Sequence, residues 1–127
     1  MKKLLVITAA IEAGTGLGVL IAPSVLTQTL LGASLEGPVA LTVARVGGAG
    51  LLALGVACWL SRNDGRALVL AMLFYNVAAV VILTYAALGF ALSGIGLWPA
   101  IGLHTALAVW CAAALKSSPP ARAGEVA

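Results

Sequence analysis

The run Leu41-Thr-Val-Ala-Arg45-Val-Gly-Gly-Ala-Gly50 places a guanidinium inside an apolar stretch that otherwise suits lipid. Arginine stays protonated at any usable pH. Even insertion-based scales charge a central arginine roughly 2.5–3.5 kcal/mol. Something else in the chain must offset that cost. Each of the three other apolar runs supplies one strongly polar side chain: Glu12, Asn76 and His104. The pattern specifies an architecture and a buried polar site, and names no reaction.

The 127 residues are 62% hydrophobic and 9% charged, with a mean hydropathy of +1.13. Soluble domains carry about 25% charged residues. A soluble chain of this length could not hide so much apolar surface, so lipid must cover part of it. The length suits one compact bundle. The formal charge of +3 carries no nucleic-acid signal, because the basic residues sit singly or in pairs at the ends of apolar runs. That placement marks membrane topology. Cys58 and Cys111 form no CxxC and no metal spacing, and read as reduced thiols serving as small core residues.

An all-α, integral membrane four-helix bundle over residues 1–115 is therefore expected, with spans at about 4–22, 39–60, 67–92 and 95–115. The start, Met1-Lys-Lys-Leu-Leu-Val-Ile, imitates a secretory signal. The apolar run continues to Ala22, however, so it reads as a retained first span ended by Pro23. In that span Thr8, Glu12, Thr15, Gly16 and Val19 share a face at 100° per residue. Ala10, Gly14 and Gly18 share the opposite face as a small-residue stripe. The stripe suits close helix contact, either with a neighbouring helix of the same chain or with another subunit.

Residues 23–38 form the long loop. Within it, Ser24-Val-Leu-Thr-Gln-Thr-Leu-Leu31 is a short amphipathic helix stopped by Gly32, expected at the outer surface as a lid or interfacial element. Pro38 suits the first turn of the second span. Ser61-Arg-Asn-Asp-Gly-Arg66 and Ser93-Gly-Ile-Gly96 are turns. Trp59, Trp98 and Trp110 fall at span ends as an aromatic belt. The proline-broken residues 116–127 read as a disordered cytoplasmic tail. Lys2, Lys3, Arg62, Arg66, Lys116 and Arg122 all fall on one side of this topology, and no Lys or Arg falls in the opposite loops. Both termini are therefore expected in the cytoplasm, in a bacterial-type inner (plasma) membrane.

Counting from the inner face at 1.5 Å per residue, Glu12, Asn76, His104 and Arg45 lie at roughly 12, 13, 16 and 20 Å. One such residue per span near the midplane predicts a shared polar cluster. Its simplest form is a Glu12–Arg45 buried salt bridge, with Asn76 and His104 satisfying the remaining groups. Such a cluster is either a lock that fixes helix order or a site for a ligand, ion or proton. Haem on His104, with Met72 or a symmetry mate as axial partner, is a minor option, and no cofactor is expected. Glu12 with His104 falls short of a metal site. No catalytic triad, phosphate loop or HExxH is present, so catalytic residues stay unassigned and enzyme activity rests on the cluster alone.

Four short spans, a proline-ended first helix, a long first loop and Ala44-Arg45-Val46-Gly47-Gly48 near the start of the second span resemble the DoxX-like small membrane proteins. The resemblance covers Leu4 to Leu115 through a loose motif. It implies a four-helix bundle and a role as partner subunit in a redox or respiratory assembly. It transfers no catalytic residue, and of the four polar positions only Arg45 matches a typical one. The expected function is a small binding or accessory membrane protein whose ligand is lipophilic or anionic, with Arg45 as anchor and Glu12 as counter-ion. A transporter or channel subunit, acting as a homo-oligomer or within a larger membrane complex, and a membrane enzyme with a lipophilic substrate are the alternatives.

Overall fold

The computed structural model describes residues 1–117. It contains five helices among these residues: α1 (Lys2–Ile21), α2 (Pro23–Leu31), α3 (Gly37–Leu60), α4 (Arg66–Gly89) and α5 (Leu97–Ser117). All but α2 are long and apolar enough to cross a membrane. Their outward surfaces carry large apolar side chains, among them Ile21, Val39, Phe74, Leu88 and Ile95. A chain that exposes such residues along four long helices has the build of a helical membrane bundle. The tail expected to be disordered lies, beyond Ser117, outside the described residues, and α5 itself continues through Lys116 and Ser117.

Local sequence sets the breaks between helices. Pro23 stands at the first position of α2, where its missing N–H costs nothing. Gly32 ends α2 in the left-handed region, at φ 75°. Gly37, also at positive φ, leads into α3, with Pro38 in the first turn. The α4–α5 connection is longer than the sequence suggests, because α4 stops at Gly89 and α5 starts at Leu97. Phe90 packs edge-on against Tyr85, with ring centroids 5.0 Å apart. Ala91 then takes a φ of 53°, which breaks the helical path. The connection comes to rest on α2, where the Gly96 N–H donates to the Thr29 carbonyl at 2.9 Å. Gly94 lies so close to the Leu30 backbone that no Cβ could fit.

The bundle is built from two close pairs, α1 with α3 and α4 with α5, and α2 bridges them at one end. The α1–α3 contact is backbone on backbone. A Cβ on Gly16 would lie 2.6 Å from the Gly48 carbonyl and would also meet the Leu52 backbone N. A Cβ on Gly55 would lie 2.6 Å from the Ala13 N and 2.9 Å from the Ala9 carbonyl. Small residues allow this approach, as expected where lipid removes the hydrophobic drive between helices. The contact runs through Ala9, Ala13 and Gly16 rather than the Ala10/Gly14/Gly18 stripe. Gly14 faces open space, Gly18 meets only the Leu26 side chain of α2, and Ala10 borders a shallow groove with Val6, Val56 and Trp59.

At the end of the bundle that carries the basic residues, the two pairs meet in a close core of Leu4, Leu5, Ala9, Cys58, Val69, Met72, Leu107 and Cys111. Both cysteines are free and fully buried there. Arg66 ties α4 to α5 at this end through the Leu115 carbonyl, 3.0 Å away. Arg62 lies over the Trp59 ring, 4.5 Å from its centroid. The three tryptophans are exposed near helix ends, as an aromatic belt requires.

The glycine contact predicts an asymmetry between neighbouring positions. Gly16→Ala should lower stability in detergent by about 1–3 kcal/mol, because backbone must move. Gly14→Ala should stay within about 0.5 kcal/mol of the parent. Denaturation midpoints of the two variants check this, and equal midpoints would contradict the contact.

Candidate functional site

Glu12, Asn76 and His104 come together, and Arg45 does not join them. Glu12 sits on the inward face of α1, one turn before Gly16, and is 2% exposed. Asn76 lies on α4 one turn after Met72 and is fully buried. His104 sits on α5 between the buried Leu97 and Leu107. The faces read from the sequence for α1, α4 and α5 hold these three side chains inward.

The expected Glu12–Arg45 salt bridge is absent. No ion pair involves Arg45 among the described residues, and Arg45 is exposed. The correction has two physical reasons. In angle, Arg45 is roughly 140° around α3 from the buried Cys58, at 100° per residue. In depth, Gly48 is already level with Val19 and Leu20 of antiparallel α1. Arg45, almost a turn further out, is therefore about 12 Å along the axis from Glu12. The glycine contact sets that register. Counting depth from the span ends does not reveal it.

Asn76 and His104 form a directional chain, and Tyr75 links Glu12 to α4 beside it. The Asn76 amide Nδ2 donates to the Met72 carbonyl at 2.7 Å. This fixes which end of the amide faces α5. Asn76 Oδ1 then lies 2.8 Å from His104 Nδ1. An amide oxygen only accepts, so Nδ1 carries a proton, and in a neutral ring Nε2 would be the acceptor. The His104 ring meets the Tyr75 ring edge-on, with centroids 5.7 Å apart. The Tyr75 hydroxyl donates to Glu12 Oε2 over a long 3.4 Å. Glu12 Oε1 is buried and has no hydrogen-bond partner. Buried polar atoms are rarely left unpaired, so this oxygen needs an explanation.

Glu12 and His104 border a cavity of about 300 Å³ that also touches Ile11, Thr15, Val19, Tyr75, Leu83, Ala100 and Leu103, and Leu26, Thr27, Thr29 and Leu30 of α2. The cavity therefore opens between the two helix pairs at the end away from the basic residues, with α2 across it. Its walls are apolar apart from a few convergent polar groups, the make-up of a small-molecule site. Among the described residues no three His, Cys, Asp or Glu side chains converge as metal ligands.

Tyr75 was absent from the residues the sequence points to. It lies one position from Asn76, so a helical wheel turns it away from the cluster. Its ring is long enough to come round and reach α1. The available signal was chemical: a tyrosine inside a span needs a partner for its hydroxyl. No family model, no curated protein and no solved structure matches the chain. The DoxX-like resemblance thus stands on the sequence features alone.

The directional chain predicts that nitrogen NMR of His104 in the folded protein shows the proton on Nδ1. Asn76→Ala should abolish that preference and cost about 1–3 kcal/mol, since it leaves a buried donor unpaired. Arg45→Gln should not destabilise the bundle. A destabilisation as large as that of Asn76→Ala would restore Arg45 to the core.

Proposed function

We propose that this chain is a small multi-pass membrane protein that binds a lipophilic small molecule in the cavity between its two helix pairs. The reading rests on one observation. Glu12 Oε1 is buried, unpartnered and belongs to a side chain that borders an otherwise apolar cavity. A carboxyl used only to lock the helices would have both oxygens paired, because an unmet buried acceptor costs about 1–3 kcal/mol or more. A ligand group that meets Oε1 removes that cost, and the apolar walls take the ligand's body.

In this reading the basic end faces the cytoplasm of a bacterial-type inner membrane, and both ends of the 1–117 bundle lie on that side, following the distribution of Lys and Arg. The cavity then opens towards the outer half of the bilayer, with α2 at the outer interface as its lid. An anionic ligand loses the anchor the sequence offered, because Arg45 is not among the cavity residues and Glu12 is the acidic side chain there. The protein acts by itself or as the binding subunit of a larger membrane assembly, the role that the DoxX-like resemblance implies.

Native mass spectrometry tests the proposal. Protein extracted gently from its own membrane should carry a small-molecule adduct. Ala100→Phe, which fills the cavity from α5, should lose it while keeping the parent's helical content. An adduct retained at the same level in this variant, or none in the parent, would overturn the reading.

A further inference from the structure

The hydrogen-bonding character of the cavity wall is one-sided, and it specifies the ligand further. Its donors are almost all used inside the protein. The Tyr75 O–H goes to Glu12 Oε2. The Nδ1–H of His104 goes to Asn76 Oδ1. The Thr27 hydroxyl donates to the Pro23 carbonyl at 2.9 Å, within 3.2 Å of the Ser24 carbonyl as well. The Thr29 hydroxyl donates to the Val25 carbonyl at 2.9 Å. Thr15 is the cavity hydroxyl that keeps both roles.

The acceptors remain free. Glu12 Oε1 has no partner. In the neutral ring, with its one proton on Nδ1, His104 Nε2 carries a lone pair. The Thr27 oxygen keeps acceptor capacity after donating. A ligand that brings several N–H donors on one atom satisfies this wall. A hydroxyl brings one donor and adds lone pairs for which the wall offers only the Thr15 hydroxyl, and a carboxylate brings no donor at all.

Charge agrees with hydrogen bonding. Glu12 is the acidic side chain bordering the cavity, and no Lys or Arg borders it. The Tyr75 ring on the same wall adds a surface that attracts cations. Within low-dielectric surroundings a carboxyl group and an amine share one proton favourably, whichever of the two holds it.

We propose that the ligand is a lipophilic primary amine whose nitrogen hydrogen-bonds the Glu12 carboxyl and the His104 ring and whose apolar body fills the space under α2. The proposal rests on the ligand-binding reading and names its chemical class. A cavity of about 300 Å³ is at the small end of ligand sites, roughly 300–1,000 Å³. It suits an aryl or short branched alkyl body rather than a long lipid chain.

The test uses three probes with one body and different head groups: phenylbutylamine, phenylbutanol and phenylbutyrate. Each is measured by equilibrium dialysis against the full chain in detergent, with empty micelles as the reference. The parent should bind the amine roughly tenfold or more tighter than the alcohol, the scale of a charge-assisted hydrogen bond, and should bind the carboxylate weakest. Glu12→Gln, which keeps the side-chain shape, should remove the preference for the amine while the alcohol still binds. Ala100→Phe should lose all three. Equal binding of amine and alcohol by the parent, or a preference for the carboxylate, would overturn the amine and leave the cavity as a binding site. Binding that Ala100→Phe does not reduce, or binding of none of the probes, would overturn the amine and count against the cavity as well. An amine preference that survives in Glu12→Gln would overturn the role of Glu12.

Discussion

The backbone contact between Gly16 and Gly48 is the constraint on which the rest of the structure depends. It lets α1 and α3 approach until neither glycine has room for a Cβ beside the other's carbonyl. Such a contact has no adjustable side chain in it, so it fixes rotation and axial register together. One turn from Gly16, Glu12 is held on the side of α1 that faces the α4–α5 pair. Almost one turn from Gly48, Arg45 is carried past the end of that face. The same contact that buries the acid therefore separates it from the base.

The two ends of the bundle are packed differently, and the difference follows from side-chain volume. At the basic end Leu4, Leu5, Val69, Met72 and Leu107 fill the space between the pairs, with the small Cys58 and Cys111 closing the remaining gaps. At the other end the inward positions include the small Thr15, Val19, Gly96 and Ala100, and a cavity remains. The helix α2 covers it because glycine at 94 and 96 lets the α4–α5 connection lie directly on the α2 backbone. Between the two regions runs the polar chain from Met72 through Asn76 to His104, with Tyr75 joining α4 to Glu12. Its donors are used inside the protein, and Glu12 Oε1 is left without one.

Much of the fold is legible in the residues. The four apolar runs, Pro23 and Pro38 at helix starts, Gly32 at a helix stop, and the short helix between them follow from hydrophobic length and local turn chemistry, and these act within a few residues. The inward faces of α1, α4 and α5 are legible too, because a single costly side chain in each span can only point inward. Arg45 broke that rule. A long side chain near a span's end can reach the interface and so need not be buried, and the depth count placed it nearer the midplane than the helix register does. The small-residue stripe is not the one that meets α3. Ala10, Gly14 and Gly18 and the true contact of Ala9, Ala13 and Gly16 look alike in spacing, and the sequence holds no mark of which one α3 meets.

By itself, then, the sequence determined how many helices are long and apolar enough to cross a membrane, roughly where most of them begin and end, which end is basic, and that Glu12, Asn76 and His104 face inward. Each of these depends on transfer cost or on backbone geometry within one helix. Only the tertiary structure decided that Arg45 stands apart, that Tyr75 reaches Glu12, and that one carboxyl oxygen is left without a partner beside a cavity. Those outcomes depend on the register and rotation between helices, which the glycine contacts set to within a fraction of a turn. A repeat of 3.6 residues read along one helix carries no information about its neighbour.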